Sequence, residues 1–377
     1  MRKPLFLLLA LLLWLPLPGC MDRIDLEDAT LSLMIGMDLN PKNELLFYLS
    51  SPIFSREAKE KSEEYGVRAE ALRQSRARFD EMVTGLTLSG KTQLFVIGTR
   101  LLETPDWFRL LDVVFRDARF SVNAKMIVYD GPVHDLFRKP PPTKPRLAMH
   151  LTKLVDTANR RNITVKTTVE ELHRQMYEKG MTPSLTKLAK AKGNVIRVMG
   201  TALLKEEGSL ATVISGKESV YLQMLLHGKK GELSVSIPYP DEDKEGEKKK
   251  QVVKKRLSFF VKGISKKVKV SHDQGRFQID VDMDMKVSIS ERLFPFEMEK
   301  DYKKMEKKIE EEMGKEFQRL VQKCQKNHID PFGFGLYARA YQYPEWKKVE
   351  NDWPHAFANA AVRIVPHVSI KGNGLVK

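Results

Sequence analysis

The stretch GLTLSGKT, residues 85–92, carries the letters of a phosphate-binding loop: glycine, four residues, glycine, lysine and a hydroxyl. In such a loop the chain leaves a strand, wraps phosphates in backbone N–H groups and opens a helix whose N-terminus favours anions. Further on, KMIVYD (125–130) adds an apolar run ending in a carboxylate, as a magnesium-holding strand would. The flanks decide between a nucleotide fold and something else. Before the stretch, Val67, Ala71, Leu72, Phe79, Met82, Val83 and Leu86 recur at helical spacing, which predicts a helix ending near Thr84 and Gly85. After it, QLFVIG (93–98) reads as a buried strand. The order is helix, loop, strand, the reverse of a phosphate loop. No helix N-terminus would then point at a phosphate, and Lys91 and Thr92 would stand at the entrance to a strand. Gly85 is expected to stop the helix, and Gly90 and Lys91 to turn the chain.

Working outward, TLSLMIGMDLN (30–40) and ELLFYLSS (44–51) form an expected hairpin, and REAKEKSEEYG (56–66) an exposed loop or mobile helix. Thr104 and Pro105 make a cap and first turn for a helix over TPDWFRLLDVVFRDAR, and SVNAKMIVYDG (121–131) returns as a strand. This alternation suits an α/β layer. KPPPTKP (139–145) reads as a stiff connector. Helices follow over 146–160 and from a capping box of Thr168 and Glu171 to a stop at Gly180. NVIRVMGTALLK (194–205) is a strand turning into SLATVI, and Ser215 with Glu218 caps SVYLQMLLH, closed by Gly228.

The charged run DEDKEGEKKKQVVKKR (241–256) reads as a solvated loop. Beyond it, LSFFVKGISKKVKVSH and RFQIDVDMDMKVSIS are period-two stretches, antiparallel strands with one wet face. A helix over 296–327 carries Met298, Tyr302, Met305, Ile309, Met313, Phe317, Leu320, Val321 and Cys324 on one stripe. Glu299 with Lys303 and Glu311 with Lys315 have the favourable four-residue spacing. AVRIVPHVSIKGNG (361–374) closes the chain as a strand. The expected fold is a mixed α+β protein of three domains: an N-terminal α/β layer, then antiparallel sheets with packed helices, with a long helix near the C-terminus. The boundaries read as 1–19, 20–190 and 191–377, the last region divisible near 228–256.

The N-terminus bears on location. Arg2 and Lys3 precede an apolar run from Leu5 to Leu15, and Leu17, Pro18, Gly19 and Cys20 follow. This is a secretory signal, short for a spanning helix. A cysteine after a small residue, with an aliphatic residue three positions back, is similar to the bacterial lipoprotein cleavage box, so Cys20 is expected to become the acylated first residue of the mature chain. The alternatives are an ordinary signal peptide or an uncleaved anchor. The formal charge is +15, and losing residues 1–19 removes Arg2 and Lys3 and leaves +13. Nucleic acid is disfavoured as a partner, because basic residues are interleaved with acids and no basic cluster carries stacking aromatics. Cys324 is the other of two cysteines, so no disulfide can form within the mature chain.

No catalytic pattern stands out. His134, His150, His173, His227, His272, His328, His355 and His367 are scattered without metal-ligand spacing, and no zinc site or other cofactor is readable. Ser215 serves better as a helix cap than as a nucleophile. Asp280, Asp282 and Asp284 share one strand face; they could bind a cation or form a solvated face, and the glycine and closing glutamate of a calcium loop are missing.

Three segments carry a resemblance: GCMDRIDLEDATLSLMIGMDL, VMGTALLKEEGSLATVISGKESVYLQMLLHGK, and HIDPFGFG through Tyr341, Tyr343, Trp346 and Trp353 to SIKGNG. Together they resemble the C-subunit lipoproteins of spore germinant receptors. Met21 stands where that family usually has tryptophan after the acylated cysteine. The resemblance implies a non-enzymatic subunit of a membrane receptor complex, acylated at Cys20 on the outer face of the spore's inner membrane. Its implied partners are a multi-helix A-type subunit and a transporter-like B-type subunit. The other class is a lipid-anchored solute-binding protein of a transporter. Tyr341, Tyr343, Trp346, Trp353 and Phe357 are candidates either for an interface or for the domain's own core.

Overall fold

The computed structural model describes residues 24–54, 57–138, 146–228, 231–239, 255–294 and 298–372. The signal segment, Cys20, the connector at 139–145 and nearly all of the charged run at 241–256 lie outside the described residues.

The first region runs β1 (Ala29–Leu31), β2 (Met34–Leu39), β3 (Leu45–Pro52), β4 (Ser62–Arg68), α1 (Leu72–Asp80), β5 (Leu86–Leu88), β6 (Leu94–Gly98), α2 (Thr99–Leu102), α3 (Asp112–Arg116), β7 (Lys125–Asp130), α4 (Val133–Arg138), α5 (Leu147–Arg160), α6 (Val169–Tyr177) and β8 (Ser184–Ala191). The chain continues with β9 (Val195–Leu204), β10 (Leu210–Ile214) and α7 (Gly216–His227). Eight strands form one sheet in the order β10-β9-β8-β7-β6-β2-β3-β4. Its middle, β2, β6, β7 and β8, is parallel, and an antiparallel pair extends each side. Strands β2, β6 and β7 are largely apolar on both faces because both are covered. Ile35, Met37, Phe95, Ile97 and Met126 pack with Leu72, Phe79 and Trp107 on one face. Met34, Leu94, Val96 and Ile127 pack with α4 and α5 on the other.

The expected hairpin of residues 30–51 is β2–β3. Three expectations need correction. The segment at 56–66 was expected to be a loop or mobile helix, and its end is instead β4, an edge strand paired with β3. The helix expected up to Gly85 ends at Asp80, and β5 lies inside GLTLSGKT, pairing in parallel with β1. The helix expected from Thr104 is broken: Asp106 takes φ +60, a 3-10 turn spans Trp107–Leu111, and only Asp112–Arg116 is α-helical.

The second sheet is β11 (Leu233–Pro238), β12 (Arg256–Asp273), β13 (Arg276–Arg292) and β14 (Ala361–Gly372), in that order. Neighbours are antiparallel except β13 and β14, which are parallel because α8 (Met298–Lys326), α9 (Phe334–Tyr341), α10 (Tyr343–Val349) and α11 (Trp353–Ala358) cross between them. Every second residue of β13 from Phe277 to Ile289 is buried, and so is the α8 stripe from Met305 to Cys324. Tyr302, counted in that stripe, is 42% exposed. Lys315 pairs with Glu312 at 2.8 Å rather than with Glu311.

The helix α8 also closes an edge. Strand β14 is an outer strand, whose unpaired N–H groups would invite another chain. Glu310 accepts from the N–H of Val368 at 2.7 Å, and Glu306 from that of Ile370 at 2.8 Å. One helix therefore supplies both the apolar cover and the missing acceptors.

Candidate functional site

The carboxyl ends of parallel strands are where open α/β sheets hold ligands. Here the end of β2 is tied to the chain itself, beside an open hollow of about 720 Å³ lined by Leu39, Asn40, Arg100, Glu103 and Trp107 among others. Asp38, at the end of β2, accepts from the Val133 N–H at 2.9 Å, at the start of α4, and from its neighbour Leu39 at 2.9 Å. Burial raises its carboxyl above the ordinary range. In GLTLSGKT, Thr92 is buried and donates to the Ser32 carbonyl at 2.8 Å, while Lys91 is exposed on the turn that follows Gly90. The stretch is a connection in the sheet layer, and 125–130 is its strand β7.

Other candidates resolve similarly. Asp280 and Asp282 face Lys269 and Lys267 across the β12–β13 ladder, and Arg363 of β14 reaches Asp280 at 2.7 Å. Two members of the aspartate row thus belong to a cross-strand charge ladder, while Asp284 lies opposite Ser265. Among the described residues no group of three or more His, Cys, Asp or Glu could hold a metal ion. Cys324 is buried, and burial pushes its thiol pKa up, away from nucleophilic use. The five aromatic candidates divide: Trp346, Trp353 and Phe357 are core, whereas Tyr341 and Tyr343 are 62% and 54% exposed. Cys20 lies outside the described residues.

What the quoted motifs build is a junction. Gly200 in the GTA segment takes φ +125, and a Cβ there would lie 2.1 Å from the Ile214 carbonyl oxygen, so β9 and the end of β10 can close only around glycine. Thr201 meets Ser219 of α7 at 2.9 Å, and Thr164 donates to the Gly200 carbonyl at 2.9 Å. Gln223 of α7 donates to the Thr164 carbonyl at 3.1 Å. Buried hydroxyls thus join the first sheet to the first helix of the second half. Ser215 and Glu218 form the full capping box of α7. Lys266 of β12 donates to the Leu225 and Leu226 carbonyls at the other end of that helix.

A second contact sits at Phe332–Gly335. Asp330 is buried, accepting from Phe332 N–H at 3.1 Å, Gly335 N–H at 2.9 Å and the Trp353 indole N–H at 2.9 Å. Burial is the main reason its carboxyl pKa is pushed up to about 6, with these hydrogen bonds opposing. Its backbone carbonyl accepts from Thr182 at 2.8 Å. A Cβ on Gly335 would lie 2.6 Å from the Gly180 Cα, so the two backbones meet directly. Arg339 holds Glu178 by two bonds of 2.9 and 3.1 Å while lying 5.4 Å from the Trp346 ring centroid. Beside the junction is an open polar groove of about 950 Å³, lined by Arg160, Lys166, Glu170, Arg174 and Gln223 among others. The arrangement offers buried, closely bonded backbone contacts beside an open polar surface.

Residues 22–190 match the family described as spore germination protein N-terminal domain. Residues 199–374 match the family described as spore germination B3/GerAC-like, C-terminal. The chain belongs to the spore germinant-receptor C-subunit family. A solved structure titled "Crystal Structure of the GerBC protein" aligns over 89% of this chain and 96% of its own length, with a TM-score of 0.56 and 15% identity. At that identity the likeness shows a shared fold, mixed α and β with several sheets, as the residue pattern led us to expect. No curated protein matches the chain. In this C-subunit-family chain the GTA and Phe-Gly-x-Gly segments both fall in the second matched region, and both hold the halves together. Sequence reading missed Asp330, Glu178 and Arg339. The one signal was the Asp-Pro pair before Phe-Gly-Phe-Gly, an aspartate placed to bond backbone N–H groups two and five residues on.

Proposed function

We propose that this protein is a non-enzymatic, lipid-anchored subunit of a nutrient germinant receptor. It is held through acylated Cys20 on the outer face of the spore's inner membrane, with membrane-embedded A- and B-type subunits as its partners. The observation that carries this reading is family membership along nearly the whole chain, from residue 22 to residue 374. The lipid anchor rests on the leader and the Leu17–Cys20 box. Among the described residues no helix is long and apolar enough to cross a membrane. In this reading acylation supplies the attachment, and two chains hold far better than one because each buried methylene adds about 0.8 kcal/mol.

Deleting the gene in a sporulating strain is expected to leave spore formation normal and abolish germination with at least one nutrient. Replacing Cys20→Ala is expected to release the protein from spore membranes and remove the diacylglyceryl mass. Unchanged germination across a broad nutrient panel, in a strain without a redundant receptor, would refute the receptor role.

A further inference from the structure

The described residues nearest in sequence to Cys20 bear exposed apolar side chains, and more lie on the segment that packs against them. Ile24, Leu26, Met82 and Leu86 are 39%, 54%, 46% and 55% exposed. They come from two segments that the fold brings together. Leu86 lies opposite Ala29 in the β1–β5 ladder, and the Gly85 backbone packs so closely on Asp28 and Ala29 that a Cβ would lie 2.6 Å from the Asp28 carbonyl carbon. Leu26 is in the 3-10 turn Leu26–Asp28, two residues beyond Ile24, and Met82 is three residues before Gly85.

Chain length fixes what this patch can meet. Three residues lie between Cys20 and Ile24, so the four steps from one to the other reach at most about 14 Å fully extended. The headgroup layer on each side of a bilayer takes up roughly 5–7 Å of that reach. With the cysteine's glycerol at the lipid surface, the end of the protein bearing Ile24 has little distance left. The exposed tyrosines Tyr341 and Tyr343 stand on α9 and α10, elements of the other half.

We propose that Ile24, Leu26, Met82 and Leu86 form a face that seats in the lipid interface and sets the protein's orientation on the membrane. This rests on the acylation of Cys20 proposed above. The contact is apolar in character: Asp25 precedes and Asp28 ends the turn that holds Leu26, Asp80 accepts from the Thr87 N–H beside Leu86, and Arg78 pairs with Glu81, so lipid charge is not its main source. Its strength should therefore change little between low and high salt, unlike that of a basic patch.

The experiment uses the acylated full-length protein on phosphatidylglycerol–phosphatidylethanolamine vesicles. An environment-sensitive fluorophore is placed at L86C, at M82C or at Y343C, each exposed, with circular dichroism confirming the fold. Several-fold brighter, blue-shifted emission is expected at L86C and M82C, with quenching by a headgroup-level lipid quencher and no response at Y343C. Vesicle flotation measured alongside separates the two ideas. Protein that floats with its acyl mass while the L86C label stays as in free solution would overturn the seated face and leave the anchor standing. Protein that neither carries the acyl mass nor floats would overturn the anchor itself. A Leu86→Glu, Met82→Glu double variant is expected to float but lose the L86-side contact, read as a lost response from a label at L26C; an undiminished L26C response would also count against the face.

Discussion

At the scale of single residues, Asp330 concentrates the most interaction in the fewest atoms. Its carboxyl is buried and serves the Phe332 and Gly335 N–H groups and the Trp353 indole. Replacing Asp330→Ala would strand those donors away from water, for an expected loss of about 3 kcal/mol by chemical denaturation. Asp330 also makes stability depend on pH, and the sign follows from its folded pKa of about 6 against an ordinary 3.8. The folded state binds this proton more tightly than the unfolded chain, so between about pH 4 and 6 its contribution grows as pH falls and is lost as pH rises through 6. Denaturation midpoints of wild type and the Asp330→Asn variant across that range should diverge in this sense, because the amide cannot titrate. Parallel curves would mean that another group carries the dependence. Little of this shows in the letters, since Asp-Pro marks a turn without revealing that an indole twenty-three residues away completes it.

At the scale of elements, hydrophobic period carried most of the fold. Strand β13 alternates through seven buried positions, and α8 keeps its apolar stripe over more than five turns; such patterns are hard to mistake. Where reading failed, local pattern was weak or overruled. Strand β4, SEEYGVR, is an edge strand whose residues are all half-buried or exposed, so no alternation marks it. Strand β8, SLTKLAKA, went unassigned although it sits in the middle of the sheet; its lysines are tolerated because Lys187 reaches Asp130 at 2.9 Å. The helix expected after Thr104 is interrupted by the left-handed Asp106 and by Trp107, whose indole N–H reaches across to the Gly208 carbonyl at 2.9 Å. No sequence period announces the glutamates of α8 that serve the β14 edge. Replacing Glu306 and Glu310 together by Ala should cost about 2 kcal/mol, from two N–H groups left without acceptors. It should also promote self-association through the bared strand. Denaturation and size-exclusion chromatography measure the two effects, and a fully stable monomer would show that β14 needs no such cover.

At the scale of the whole molecule, the two halves are fastened by the buried hydroxyls around Gly200 and by charged and backbone contacts around Gly180 and Gly335. The Glu178–Arg339 pair is bidentate yet partly exposed, which places its coupling near about 1 kcal/mol. A double-mutant cycle of Glu178→Ala and Arg339→Ala should return that value, and strict additivity would show that the pair contributes nothing to holding the halves. The mixed composition and the order of regions were legible in the chain. The partnership between segments far apart in sequence was not, because strand pairing across 190 leaves no local trace. Strands β9 and β10 hydrogen-bond into the N-terminal sheet, although residues from 199 onward match the C-terminal family. On that hairpin Ala202 and Leu204 face one core and Leu203 and Ile214 another. This constrains how such proteins could trade parts. A crossover near 190–199 would give the recombinant an N-terminal sheet completed by a foreign hairpin. Exchange between paralogues is therefore better tolerated at Ser215, just past the hairpin, and even there the incoming α7 must fit a hydroxyl, Thr201, inherited from the other parent.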